Sequence, residues 1–427
     1  MTGAAPTDAD VRAAVEAEQP ATVDFLRELV SARTTLGNEE AGQRIMAAAL
    51  ADAGLDVLDV PMDPEVLRAH PQAALFDWEL EGKRNLVASW QPPTVGSSGR
   101  SLILSGHVDV VTSDPDDLWH SAPFEPRLDG EGWLYGRGAC DMKSGLAAMV
   151  GAMRALVRLG LRPAARLALH SVIEEEFGGN GALACALAGH ATADGCVLVE
   201  PTGGALCTAQ VGLLWFDVRL IGTPSHTADR HLGLSALDLL PAAREALAGV
   251  EEVLNRDAAP PFEGTPVFIN VGVVRAGAMP SIVAPDCVLS CRVSLLPGQD
   301  IDRVRLMVEE AVAAIEAPHP PEVTWRGFVA PAYVLAGDEP LVKAASRAVQ
   351  SATGAEPELT AVLGAADART YGLVGGTPTL LMGATGERMH AADERVWLPS
   401  VADTATALVL LVRDWCGLAE APSRQSS

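Results

Sequence analysis

Short, almost wholly apolar runs alternate along the first part of this chain with Ala- and Leu-rich stretches of helical period. Residues 101–105, 167–173 and 196–200 have the pattern of strands buried on both faces. Residues 24–32, 43–53, 146–159 and 182–187 space their apolar positions as helices do. This alternation predicts an α/β fold: a layered main domain with a mostly parallel sheet whose strand ends are the natural place for a site. The pattern changes after Val211. Residues 215–221 alternate, 236–254 are helical, 267–274 and 287–295 are strand-like, 301–317 are helical again, and 323–326 close the run as a last strand. That order predicts an inserted α+β unit. The expected organisation is therefore residues 1–211 as the first part of the main domain, 212–329 as the insertion, and 330–427 as the second part. Residues 92–100 read as a Pro/Gly/Ser loop, 62–72 as an excursion and 420–427 as a frayed tail.

Composition narrows the class. A chain of 427 residues exceeds what one core ordinarily supports, and 48% hydrophobic with 20% charged residues describes an ordered globular protein. The net charge of −24 disfavours nucleic acid and anionic membrane surfaces as partners. The seven cysteines form neither a Cys-x-x-Cys pair nor a disulfide-dense framework. With an acidic N-terminal stretch that lacks a basic start and an apolar core, and no long apolar run, the expectation is a cytoplasmic protein without a membrane span.

The chemistry sits where the strand-like runs end. A strand closing near Ser105 sends alternate side chains to one side, which could aim both His107 and Asp109 into one pocket. A neutral imidazole is a good zinc ligand through one nitrogen, and an acid at the other nitrogen fixes its tautomer. Asp141 lies in a glycine-rich turn before a helix, where a carboxylate can bridge two cations. The run Glu174-Glu175-Glu176 ends a second strand, and only compensating cations make that crowding reasonable. Glu200 ends a third strand, and His390 adds an imidazole near the C-terminus. Taken singly, a His-x-Asp is ordinarily a satisfied pair and a glutamate run an exposed face. Together the clusters predict a two-metal hydrolase. Competing motifs are absent: Met142 stands where a phosphate loop needs Gly before Lys, no His is followed by Glu, and there is no Gly-x-Ser-x-Gly elbow.

These residues fall in seven blocks: Ser105-Gly-His-Val-Asp-Val-Val111, Trp119-His-Ser-Ala-Pro-Phe124, Tyr135 to Gly145, Ile173 to Gly181, Glu200-Pro-Thr202, Gly222-Thr-Pro-Ser-His226 and His390-Ala-Ala-Asp-Glu394. In this order and spacing, from about Val23 to Trp397, the chain resembles the dinuclear zinc aminoacylase and metallopeptidase family that contains acetylornithine deacetylase, succinyl-diaminopimelate desuccinylase and glutamate carboxypeptidase. The resemblance implies two Zn²⁺ per subunit, for which Co²⁺ substitutes, with His107 and Glu200 on one ion, Glu176 and His390 on the other, and Asp141 bridging. It implies Glu175 as general base and Asp109 as the acid behind the ligands. Glu174, where relatives usually carry Asp, is expected to support rather than coordinate. The insertion becomes a lid and dimerisation domain whose His226 crosses a homodimer interface to steady the oxyanion in the neighbouring site. Arg292 and Arg369 match positions that grip a substrate carboxylate, and Ser281 stands where relatives usually have Asn. A surface-turn histidine and ordinary ion pairs are the plainer readings of His226 and the two arginines.

The implied activity is removal of a small acyl group from an N-acyl amino acid or related amine, nearest to the acetylornithine deacetylase branch, which also holds deformylases of amino-pyrimidines. A dipeptidase or carboxypeptidase with the same dinuclear site is the alternative. A metal-bound, non-catalytic binding protein is weaker, because Glu175 is needed for turnover and not for ligation.

Overall fold

The computed structural model describes residues 5–92 and 99–420. Most of the expected 92–100 loop and of the 420–427 tail lies outside those residues. Among them, nine strands form the main sheet in the order Asp56–Pro61, Arg84–Trp90, Leu167–Val172, Leu102–His107, Cys196–Leu198, Thr379–Met382, Leu206–Gln210 and Tyr333–Val334, with Leu359–Val362 also paired to Leu206–Gln210. The four strands from Leu167–Val172 to Thr379–Met382 run parallel, and the outer pairings are mostly antiparallel. Every residue of Leu102–His107 and Leu167–Val172 is buried, as strands covered on both faces require.

The helix Lys143–Arg158 packs closely enough on this sheet that a Cβ at Gly145 would fall 1.9 Å from the carbonyl oxygen of Val199. The first helix, Asp8–Ser31, starts well before residue 24. Thr7 and Asp10 close a capping box at its start, and its Pro20, which reads locally as a break, is accommodated inside it. The 62–72 excursion contains a short helix, Pro64–Arg68, capped by Asp63. In the second part of the main domain, the strand Leu359–Val362 is followed by a π-helical turn at Thr370–Val374.

A separate four-stranded antiparallel sheet runs in the order Ile269–Ala276, Asp286–Leu295, Gly212–Ile221, Glu322–Ala330. Along Gly212–Ile221 the side chains of Leu214, Phe216, Val218 and Leu220 are buried in alternation with Trp215, Asp217, Arg219 and Ile221. They meet Leu247 and Val250 of the helix Leu240–Leu254 and Val304, Val308 and Val312 of Ile301–Ala313, a core distinct from that of the main sheet. The residues before Leu240 form a 3₁₀ turn, Ala236–Leu239, rather than continuing the helix. All seven cysteines are buried and free. Among the described residues no helix is long and apolar enough to cross a membrane.

Candidate metal centre

Register gathers the site. In the parallel pairs Ser105 lies opposite both His170 and Leu198, and His107 opposite Val172, so the three strands end at one level. His107, the 174–176 run and Glu200 therefore leave the same edge of the sheet. Asp141 reaches that edge from the turn preceding Lys143–Arg158, and His390 from the turn after Gly386–Glu387. His107 Nε2 lies 3.3 Å from Asp141 Oδ1 and 3.9 Å from both Glu175 Oε2 and Glu200 Oε1. On the other side of Asp141, its Oδ2 is 3.3 Å from His390 Nε2, which is also 3.0 Å from Glu176 Oε2. Asp141 thus faces both imidazoles. One ligand atom each from His107, Asp141 and Glu176 falls within 4.8 Å of the others. Asp141, Glu175, Glu176, Glu200 and His390 open on a cavity of about 400 Å³ whose other walls include Val362, Leu363, Leu381 and Met389.

The three glutamates point in different directions. Glu174 takes a left-handed backbone (φ 62°) that turns its fully buried carboxylate away from the cavity to Lys83 Nζ, 3.0 Å away, and to the Asn180 side-chain amide. The 3₁₀ turn Glu175–Phe177 then presents Glu175 and Glu176 to the cavity. Their backbone amides donate to Asp109, Glu175 N to Oδ1 at 3.3 Å and Glu176 N to Oδ2 at 3.1 Å. With its carboxylate so engaged, Asp109 meets His107 mainly through its carbonyl: Nδ1 lies 2.9 Å from that oxygen and 3.6 Å from Oδ1. The expected contact is made by the expected residue through a different oxygen. A carbonyl only accepts, so Nδ1 carries the proton and Nε2 is left to face Asp141, Glu175 and Glu200.

The electrostatics show what this donor set requires. Burial raises Asp109 to about 7 and Glu200 to about 8, and pushes Glu175 well above the carboxylate range. Burial by itself would lower both imidazoles, but neighbouring acids overcome it: Asp141, Asp109, Glu200 and Glu175 hold His107 well above its ordinary value, and Glu176 with Asp141 lifts His390 to about 11. Asp141, whose burial opposes ionisation, is drawn below the carboxylate range by His107 and His390. Protein alone thus tolerates the cluster by charging its imidazoles and neutralising some of its acids. Two His nitrogens amid carboxylate oxygens are the ligands of a divalent transition metal, and such an ion would satisfy the set in its ordinary protonation states. The residues present fit the group.

The remaining sequence candidates lie elsewhere. Arg369 is 1% exposed, with its guanidinium donating to the carbonyls of Ala366 and Gly178, and it does not line the cavity. It braces the turn after the glutamates: Gly179 there has φ 76°, and a Cβ on it would come within 2.4 Å of Arg369 and 2.6 Å of Asp367. Arg292 stacks on Phe268 and donates to the carbonyl of Leu363, a cavity residue, so it touches the rim from the antiparallel unit. His226 and Ser281 pair with each other's neighbourhood, through the His226–Ile282 bridge and the Thr227 N to Ser281 O bond, away from the cavity wall. His226 is exposed, and its Nδ1 accepts from Ala228 N. Two supporting acids escaped sequence reasoning. Glu39, almost wholly buried, shares Lys83 with Glu174 at 3.5 Å, and buried Asp367 stands beside Arg369. Neither sits in a block that local spacing marks out.

Residues 103–414 match the model of peptidase family M20/M25/M40. The chain is 27% identical over 373 residues to N-formyl-4-amino-5-aminomethyl-2-methylpyrimidine deformylase of Halalkalibacterium halodurans, covering 81% of this chain and 86% of that protein. It is 26% identical over 388 residues to succinyl-diaminopimelate desuccinylase of Bordetella avium, covering 88% and 94%. The fold is similar to that of the dipeptidase Dug1p of Saccharomyces cerevisiae, with a TM-score of 0.77, 13% identity, and 96% and 98% of the two chains covered.

Proposed function

We infer what this chain does from the fact that it belongs to peptidase family M20/M25/M40. It is a hydrolase, and we propose that it removes a small acyl group from an N-acyl amino acid or a related amine with the help of two Zn²⁺ ions, Co²⁺ serving in their place. The observation that carries the reading is Asp141, set between two imidazoles in a cavity ringed by acids. His107 and Glu200 would hold one ion, Glu176 and His390 the other, with Asp141 between them. Ions so held supply Lewis acidity to the scissile carbonyl and bring the pKa of water towards neutrality.

The chain's own residues do the rest. Glu175, next to the ligands yet free of the amide contacts that engage Asp109, takes the proton of the attacking water and returns it to the leaving amine. Its presence argues against a binding protein that merely carries metal. Val362, Leu363, Leu381 and Met389 seat the apolar part of the substrate and exclude bulk water. The names of the two curated relatives, a deformylase and a desuccinylase, support the deacylase reading over the dipeptidase.

A homodimer is proposed on the strength of the insertion's open edge. The strand Ile269–Ala276 has one neighbour, exposes Val273 and Val274, and adjoins a concavity of about 780 Å³ lined in part by Met279 and Ile282. His226 stands beside this face, bridged to Ile282, and a role in the partner's site is proposed for it. Seven free thiols favour a reducing, cytoplasmic location.

A substrate panel in the presence of Zn²⁺ or Co²⁺ tests the reading. N-formyl, N-acetyl and N-succinyl amines and amino acids should be turned over faster than dipeptides. A clear preference for dipeptides would transfer the chain to the peptidase reading.

A further inference from the structure

The block that ends in His390-Ala-Ala-Asp-Glu394 contains two acids to which neither ligation nor proton transfer assigns a task. Glu394 is fully buried and accepts four hydrogen bonds: from Arg137 Nη1 at 2.5 Å, Gly138 N at 3.0 Å, Cys140 N at 2.8 Å and the backbone N of Asp141 itself at 2.9 Å. Its carbonyl takes a fifth, from Gly136 N at 2.9 Å. Asp393 is gripped from another side, by His120 N at 2.9 Å, His120 Nδ1 at 2.6 Å and Arg388 Nη1 at 3.4 Å. Between these anchors the backbone takes positive φ at three residues with side chains, Arg388 (62°), His390 (60°) and Asp393 (59°), a conformation the turn would not keep unaided.

We propose that Glu394 is the positioning residue of the second cation site. One carboxylate fixes His390, four residues before it in sequence, against Asp141, whose amide it holds, and the His120–Asp393 pair locks the same turn from outside. This rests on the two-metal reading above. The chemistry requires a carboxylate: four donors converge on two oxygens, which only an ionised acid satisfies, whereas Gln would turn its NH₂ towards two of them. Through this device the separation of the two ligands becomes independent of what the cavity contains.

The test is metal binding, read without turnover, by equilibrium dialysis with elemental analysis for Zn²⁺ and by absorption titration with Co²⁺. Wild type should take two equivalents. Glu394→Gln should keep the first and bind the second about 10–100-fold more weakly, the usual cost of removing a partner behind a ligand. His120→Ala, whose side chain is 86% exposed, should weaken the same second equivalent by a smaller factor. Should Glu394→Gln fail to fold, the exposed His120 variant decides alone. Two equivalents at wild-type affinity in His120→Ala, and in folded Glu394→Gln, overturn the proposal. Fewer than two in wild type instead overturn the reading on which it rests.

Discussion

The nine-stranded sheet and the four-stranded sheet of residues 212–330 gather chemistry differently. At the centre of the nine-stranded sheet the strands are parallel, buried on both faces and level at their ends, so residues 107, 174–176 and 200 arrive at one edge from far apart in sequence. In the four-stranded sheet the pairings are antiparallel, and the edge strand Ile269–Ala276 faces solvent along most of its length. Its His226 and Ser281 sit beside that edge, outside the cavity that Asp141 and the glutamates line. Parallel register makes a site within one chain, and an open antiparallel edge offers residues to something outside it. The parallel site stands on interatomic distances within one chain and the open edge on the proposed dimer, so the two break separately.

The largest expected effect is on the parallel side. Glu175→Gln should keep its metal and lose about 10²–10⁴ in kcat, the range for general acid and base help. Near-normal kcat by steady-state assay would remove Glu175 from proton transfer.

On the antiparallel side, His226→Ala should lower kcat by roughly 10²–10³, as the loss of one oxyanion donor does, with metal content unchanged. Mixing this variant with Glu175→Gln sharpens the contrast. If the histidine acts in the partner's site, one site of each mixed dimer regains both groups and activity returns. No recovery after verified subunit exchange would return His226 to its plain reading, a surface turn.

A smaller effect concerns stability. His170, buried in the main sheet with Nδ1 2.8 Å from the Tyr371 hydroxyl, has its pKa pushed down to about 3 by burial, with Arg166 and His190 adding to the shift. The folded state keeps it neutral while the unfolded chain protonates it below about 6.5. Its contribution is therefore fully present above pH 6.5 and lost as pH falls towards 3, by up to about 1.4 kcal/mol per pH unit. Urea titrations at pH 7, 6 and 5 should show a shallower fall for His170→Gln than for wild type. Equal slopes would contradict the assignment.

What could be read from sequence follows the same division. His107, Asp141, Glu175, Glu176, Glu200 and His390 stand at strand ends or in glycine-rich turns, so local pattern was enough to nominate them. The direction of a side chain was not legible. Arg369 is charged and near the right block, yet its guanidinium faces two backbone carbonyls, and Asp109 meets His107 through its carbonyl because two amides 66 and 67 residues away occupy its carboxylate. Lys83 and Glu39, which settle Glu174, are brought in by tertiary packing with no local signal. The first helix, expected from residue 24, starts at Asp8 behind the Thr7–Asp10 cap and runs through Pro20.

The claim beneath all of this is that Asp141 is shared by two cations. Anomalous diffraction at the zinc edge, from crystals of active enzyme purified with Zn²⁺, tests it most directly. Two peaks are predicted in the cavity, one against His107 and Glu200 and one against Glu176 and His390, roughly 3.5–4 Å apart with Asp141 touching both, the spacing of two-metal hydrolases. A single peak in fully active crystals, or two that do not share Asp141, would contradict the account.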